Sequence, residues 1–348
     1  MKTWKIVLTT FLSVISFAAV AVLFKRIKTM LSIRHVGGKL YKVDYYADYK
    51  LDKLLVKGVK DVSGLMSFLS QEIYFGYPIN VNEHLSGCTS FAALSPTGKL
   101  LAGRNFDYPK TDMLLVHTRP KNGYASYSMV CLAHLNISEE AGTMPETLMG
   151  KFMILSAPYA CVDGINEKGL HVAVLELSTK PTAQDTGRTK IITTVAVRML
   201  LDKCASTEEA VAELSKYDMF SSAGAPYHFL ITDAQGDTII VEWPDPEQAM
   251  VVLKQSYATN FQLAGGKNKD VGLGHDRYKI VAKNLEQSQG VVSEDEAMRL
   301  LEAVSIKGNS NFGTQWSIVY NVSNVSLKIC CDMDYSKVYE FRNWRKHE

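Results

Sequence analysis

The chain lacks any Cys-x-x-C pair and any Cys/His spacing of the kind that holds zinc. No metal is therefore expected, and no cofactor motif stands out either. Its six cysteines are Cys88, Cys131, Cys161, Cys204, Cys330 and Cys331. Spread over 348 residues, they are too sparse for a disulfide framework and read as small buried hydrophobes. Beyond the N-terminus there is no run of Lys or Arg, and the formal net charge is only +2. That excludes a dedicated nucleic-acid binder, which needs a basic stripe. Internal repeats and low-complexity segments are absent, and none of the eight histidines stands in a recognisable Cys/His pattern.

What is present is ordinary globular composition, 47% hydrophobic and 21% charged, with length for one large domain or two modest ones. The N-terminus departs from it. Lys2 and Lys5 precede an uncharged run from Ile6 to Phe24, and Lys25, Arg26 and Lys28 follow. A helix of about nineteen residues nearly spans a bilayer core. Apolar residues continue past the small Ala19-Val20-Ala21 site, so residues 1–28 read as a signal-anchor in preference to a cleaved signal peptide, with a buried helix third. The bulk of the chain is expected outside the cytoplasm, membrane-anchored or secreted.

Residues 29–45 read as a basic, partly extended connector. From Leu51 to Leu69, apolar residues recur at spacings of three and four, which predicts one amphipathic helix weakened by Gly58 and Gly64. Residues 76–87 are turn-rich. From Cys88 onward short β runs dominate. A helical stretch over 189–217 follows, then a hairpin around Asp233–Gly236. Ser293 with Glu296 three residues on predicts a capped helix start, and the tail holds two or three more strands. This order predicts an α+β fold in layers rather than a βαβ alternation.

The stretch "CTSFAALSPTGKLLAGRNFDYP" carries the chemistry. With Ser95–Gly98 as a four-residue turn, Leu94 faces Lys99 and Cys88 falls opposite Asn105, with Arg104 beside that pair and Asp107 two residues beyond. Arg104 and Asp107 differ in parity, so a bulge or a strand end near Asn105-Phe106 is needed to bring both to one side. A guanidinium beside a thiol favours the thiolate. A papain-like site would need a partner His. A second route needs none: a cut between Gly87 and Cys88 would give Cys88 a free α-amine, with a pKa of about 7.7–8.0, able to act as base for its own thiol.

Cys-Thr followed by Gly-Arg-Asn-x-Asp at this spacing resembles the start of the mature chain in N-terminal-nucleophile hydrolases of the choloylglycine hydrolase family, linear amide C–N hydrolases. Among its branches, "CTS" and "DYP" look most like those of acid ceramidase and N-acylethanolamine acid amidase. "GINEKGLHVAVLEL", "YATNF" and "GHDRYKIV" resemble further family segments, and the likeness extends over most of 88–340. The resemblance implies a four-layer αββα sandwich. It implies Cys88 as nucleophile and, through its amine, base, with Gly87–Cys88 the autocleavage bond. Asp107 would orient the amine, and Arg104 would favour the thiolate and position substrate. Asn260 would supply an oxyanion donor, and Arg277 would steady Cys88 or a substrate carboxylate. Glu176 and Asn105 are further oxyanion or substrate candidates.

The chain is thus expected to comprise an anchor or signal peptide (1–28), a pro-segment with an amphipathic helix (29–87) and a catalytic domain (88–348). The expected activity is autoprocessed cysteine amidase chemistry on N-acyl compounds of fatty-acyl amide or conjugated bile acid type, through a thioester. Bile salt hydrolysis proper and acyl transfer to an amine are alternatives. A membrane-anchored binding module on a degenerate scaffold is the competing class. The expected partners are a small N-acyl amide and, through the N-terminal segment, a membrane. A homo-oligomer is left open.

Overall fold

The computed structural model describes residues 19–79, 87–308 and 311–342. Most of the run Ile6–Phe24 lies outside these residues, and so does the expectation of an anchor or leader built on it. Among the described residues no helix is long and apolar enough to cross a membrane.

Two sheets form the centre. The larger has nine strands in the order Arg34–Gly37, Leu40–Tyr45, Met113–Thr118, Ser126–Cys131, Cys161–Asn166, His171–Glu176, Tyr227–Thr232, Thr238–Glu242, Val251–Leu253. The smaller has six, in the order Tyr257–Ala258, Gly87–Leu94, Leu100–Pro109, Phe312–Asn321, Ser326–Cys331, Val338–Phe341. Within them only Leu40–Tyr45 and Met113–Thr118 pair in parallel. The sheets face each other where Gly87–Leu94 meets His171–Glu176 and Tyr227–Thr232. Helix Thr193–Lys203 covers the larger sheet, and helices His275–Gln287 and Glu294–Ala303 cover the smaller. The α+β class and the helix–sheet–sheet–helix layering expected from the resemblance are both present.

Alternation along the strands divides the core. Cys88, Ala102, Phe106, Trp316 and Ile318 pack between the sheets. Phe91, Leu101 and Val319, of opposite parity, pack with Val281, Leu285, Leu300 and Leu301 of the outer helices. The predicted capping box closes as expected: Ser293 Oγ accepts from Glu296 N and Glu296 Oε2 accepts from Ser293 N. The helix at Thr207–Leu214 is capped in a similar way, with Ser206 Oγ accepting from Glu209 N.

Three local expectations are corrected. Residues 29–45 are not a connector: they hold the end of a helix over 19–31 and two strands that complete the edge of the larger sheet. Leu40 and Val43 are fully buried there, so their apolar side chains are core. The single helix expected over 51–69 is two helices, Leu51–Lys57 and Val62–Glu72, divided at Gly58, whose φ of +73° cannot continue a helix. The helical stretch expected from Thr189 begins at Thr193. Thr189–Ile192 is a β-branched strand paired in parallel with Tyr217–Phe220.

Candidate active site

The hairpin of Gly87–Leu94 and Leu100–Pro109 sets the site, in a register one residue away from that expected. Leu94 pairs with Leu100, because Lys99 belongs to the turn. Ser95 N donates to Lys99 O at 2.7 Å, and Lys99 N donates to Ser95 Oγ at 2.9 Å. Cys88 therefore lies opposite Phe106, Ser90 opposite Arg104 and Gly87 opposite Asp107. The slip exchanges the faces, since side-chain direction has period two. Arg104, not Asn105, shares the inter-sheet side with the Cys88 thiol.

No bulge gathers Arg104 and Asp107 onto one side. The irregularity near them is in the neighbouring strand, between Thr314 and Trp316, and Asp107 stays on the helix side. Gly87 lies against it: a Cβ built there would stand 3.0 Å from Asp107 Cβ and 3.1 Å from its Oδ2. The absence of a side chain at residue 87 thus brings the Gly87–Cys88 bond and a carboxylate together. Asp107 Oδ1 accepts from Thr314 Oγ1 at 2.5 Å and Oδ2 from Arg277 Nη1 at 3.3 Å.

Arg277, in the first turn of helix His275–Gln287, is buried and joins the parts. Its Nη1 donates to Cys88 O and Thr89 Oγ1, both at 2.6 Å, and its Nη2 to Asn260 Oδ1 at 2.8 Å. Gly274 makes this possible. Its φ is +83°, and a Cβ there would come within 2.7 Å of Arg277 Nη2. Asn260 Oδ1 also accepts from Cys88 N at 2.7 Å, while Asn260 Nδ2 donates to Glu176 O at 2.8 Å. Two donors converging on Oδ1 fix the amide's orientation. One Nδ2 hydrogen is used by Glu176 O, and the amide has one more. Glu176 thus meets Asn260 through its backbone carbonyl, at the end of strand His171–Glu176.

Arg104 is fully buried. Its Nη2 donates to Val174 O at 2.7 Å, its Nε faces Asp163 Oδ2 at 3.5 Å, and the guanidinium lies within hydrogen-bonding reach of the Cys88 thiol. Burial pushes the Cys88 thiol up; Arg104 pulls it down, Asp107 raises it and Arg277 lowers it, and burial prevails with the chain uncut. The thiolate expected from Arg104 alone is therefore not the favoured form before cleavage. Asp107 is likewise pushed up by burial, against Arg277, Thr314 and Arg104.

Asn105 belongs elsewhere. Its Nδ2 donates to Leu301 O at 2.8 Å and its Oδ1 accepts from Ser317 Oγ at 2.7 Å. It ties the sheet to helix Glu294–Ala303, on the face away from the thiol.

Sequence reasoning did not find Asp163 or His228. Asp163 accepts from Trp316 Nε1 at 3.3 Å and from Tyr320 O–H, so it braces Arg104 from the opposite sheet. The ring of Trp316 in turn stacks on Phe106, with centroids 4.1 Å apart. His228 bridges Glu242 Oε1 (2.7 Å) and Thr259 O (2.8 Å), which fixes the backbone just before Asn260. The "GINEKGLHVAVLEL" run and the hairpin around Asp233 marked these strands, and the hairpin register sets His228 against Glu242. Nothing local marked the cross-sheet partners of Asp163.

Beside Phe106 and Val174 lies a narrow, mainly apolar cavity of about 60 Å³. Leu65, Met66 and Leu69 of helix Val62–Glu72 form one wall, and Tyr159 and Tyr227 close others. Cys88 is 1% exposed.

A family model described as linear amide C–N hydrolases, choloylglycine hydrolase family, matches residues 88–306 and begins at Cys88. Two solved structures of variants of the conjugated bile acid hydrolase from Clostridium perfringens resemble the fold. One is 17% identical, with TM-score 0.55, covering 75% of this chain and 93% of that one. The other is 16% identical, with TM-score 0.54, covering 74% and 93%. Penicillin V acylase from Agrobacterium tumefaciens is 16% identical, with TM-score 0.45, covering 73% and 86%. At these identities the likeness to the two bile acid hydrolase structures is one of fold.

Proposed function

The chain belongs to the choloylglycine hydrolase family of linear amide C–N hydrolases, and from that premise we propose that it is a self-cleaving cysteine amidase acting on N-acyl amides with an apolar acyl group. One observation carries the reading. The backbone N–H and C=O of Cys88 are each held by a side chain, by Asn260 Oδ1 and Arg277 Nη1. A cysteine used only through its thiol needs no such hold on its main chain. One that works through a free α-amine does.

In the proposed sequence the Cys88 thiol attacks the Gly87 carbonyl. The C–N bond breaks as the thiol proton passes to the leaving Cys88 nitrogen, which becomes the free α-amine. The acyl group is left on sulfur, and water releases it as the Gly87 carboxylate and restores the thiol. The freed amine stays on Asn260 Oδ1, with Asp107 beside it. It takes the thiol proton, and the thiolate attacks the substrate carbonyl. The second Asn260 Nδ2 hydrogen serves the oxyanion, a contact typically worth about 2.7–4 kcal/mol of barrier. The amine product leaves with the proton from the Cys88 ammonium. Water then hydrolyses the thioester to the carboxylic acid.

The lining of the cavity beside Phe106, with Leu65, Met66, Leu69, Leu135 and Val174, supports an apolar acyl group, and at about 60 Å³ the cavity has to widen to hold one. We read residues 29–87 as a pro-segment that stays docked after the cut, since strand Leu40–Tyr45 is hydrogen-bonded into the larger sheet. We read the run Ile6–Phe24 as holding the protein at a membrane, outside the cytoplasm. Amine release from a palmitoyl amide and from glycocholate tests the function. The cleaved protein is expected to hydrolyse the palmitoyl amide with the higher kcat/KM and Cys88→Ala to hydrolyse neither. Equal rates for Cys88→Ala and wild type would overturn the reading.

A further inference from the structure

Among the described residues, the helix over residues 19–31 is fixed to the body of the protein along one side. Arg26 is buried, donates from Nη2 to Glu72 O at 2.7 Å and lies 4.2 Å over the Phe75 ring. Thr29 Oγ1 accepts from Tyr46 N at 2.9 Å and Ala47 N at 3.2 Å. The other side carries Val20, Phe24, Ile27 and Leu31 at helical spacing, with exposures of 64%, 64%, 44% and 70%. Four large apolar side chains in one exposed stripe mark a surface that meets something other than water.

Next to the stripe runs a groove of about 580 Å³, between this helix and strands Leu40–Tyr45 and Met113–Thr118. Phe24 lines it, so stripe and groove share an edge. Its cations are Lys25, Lys28, Arg34, Lys42 and Arg119, and Asp44 is its one carboxylate among the described residues. Asp44 is already divided among Arg34 at 3.0 Å, Lys42 at 3.5 Å and His117 at 3.0 Å. Burial lowers Lys42 and Asp44 raises it, while Arg34 and Arg119 push it down, and the groove's cations outnumber its carboxylate. An anion entering there would offset that excess. An exposed apolar stripe beside a cationic groove is the pairing an anionic membrane surface fits, with acyl chains on one and phosphate on the other.

We propose that this groove binds the phosphate headgroup of an anionic phospholipid while the Val20–Phe24–Ile27–Leu31 stripe lies against the lipid's acyl chains. The inference rests on the membrane-proximal reading of the N-terminal run given above. It is independent of amide hydrolysis, because binding is read without turnover.

The test is native mass spectrometry of the full chain in detergent micelles, titrated with phosphatidylglycerol or with phosphatidylcholine of the same acyl chains. Wild type is expected to retain phosphatidylglycerol at least about tenfold better. Lys25→Glu/Lys28→Glu, at two exposed positions, is expected to bring the two lipids to equal retention. Lys267→Glu/Lys269→Glu, the same charge change outside the groove, is expected to keep the preference. Phe24→Ser/Leu31→Ser is expected to weaken retention of both lipids. A thermal melt of each variant verifies folding. Equal retention by wild type, an unchanged preference in the groove variant, or an equal loss in the control variant would each overturn the proposal. Displacement of phosphatidylglycerol by millimolar inorganic phosphate alone, with the apolar variant behaving as wild type, would overturn the lipid assignment in favour of a free-phosphate site.

Discussion

Arg104 and Asp107 stand three residues apart on one strand and serve opposite faces of it. Arg104 enters the space between the sheets on the thiol side of Cys88, and Asp107 enters the helix side against Gly87. The strand thereby supplies a cation to the nucleophile and a carboxylate to the bond before it. This division of labour needs no bulge, and it separates the two charges by the thickness of the sheet.

Arg104 acts on the thiol by its charge. Replacing it with Met keeps the burial that raises the Cys88 thiol and removes the guanidinium that lowers it. The pH midpoint of Cys88 alkylation by iodoacetamide should therefore move up in Arg104→Met and stay near wild type in Arg104→Lys. Breaking the pair with Asp163 should also cost about 3–5 kcal/mol in a denaturant titration. An unmoved alkylation midpoint in Arg104→Met would contradict the role.

Arg277 works as a fork, holding Cys88 O, Thr89 Oγ1 and Asn260 Oδ1 from two nitrogens. A lysine ammonium cannot span those positions. Arg277→Lys should lower kcat/KM at least about a hundredfold, a loss of roughly 2.7 kcal/mol. Gly274→Ala should move activity the same way without removing a polar group, because its Cβ displaces Arg277 and its φ is left-handed. Wild-type activity in Gly274→Ala would show that the fork's position does not matter.

Asn105 makes the contrasting case. Its amide links Leu301 O and Ser317 Oγ, both away from the thiol. Asn105→Ala should destabilise the fold by about 1–3 kcal/mol while leaving KM and the pH profile unchanged. A shifted pH profile at normal stability would return Asn105 to the chemistry.

The reading of Asn105 also shows where the sequence stopped being legible. A hairpin was evident from "SPTG" between two apolar runs. Whether Lys99 belonged to the turn or the strand was not, because Ser95 closes the loop with its side chain as well as its backbone. One residue of uncertainty exchanged Asn105 for Arg104 beside the thiol. Arg277 and Asn260 are 17 residues apart and meet through a helix start and a short strand, which only the family likeness could align. Asp163, His228 and Glu242 lie on strands whose alternation was readable. His228 and Glu242 face each other one step beyond the Phe229–Val241 pair of the hairpin around Asp233, so their contact follows from its register. The partners of Asp163 (Arg104, Trp316 and Tyr320) are in the other sheet, and no local pattern encodes that. The capped helix start at Ser293 was legible because capping is local.

The His228–Glu242 contact predicts an acid-sensitive contribution to stability. Burial raises the Glu242 carboxyl, but His228 and the N–H groups of Leu263 (3.0 Å) and Ala264 (2.7 Å) outweigh it and hold it below its usual range. A carboxyl lowered on folding contributes stability above its unfolded value, and that contribution is lost as pH falls through the folded value. The gap in denaturant midpoint between wild type and Glu242→Gln should therefore be steady from about pH 7 to 5 and shrink below about pH 4.3. A gap that widens on acidification would reverse the sign and refute the assignment.

The most direct test of the central claim is the intact mass of the purified protein, measured alone and after rapid quenching with a palmitoyl amide. The account predicts a fragment beginning at Cys88 in wild type, an acyl adduct on that fragment after quenching, and an uncut chain in Cys88→Ala. A wild-type chain that remains uncut at Gly87–Cys88 and still hydrolyses the amide would contradict it, because the α-amine assigned as base would not exist.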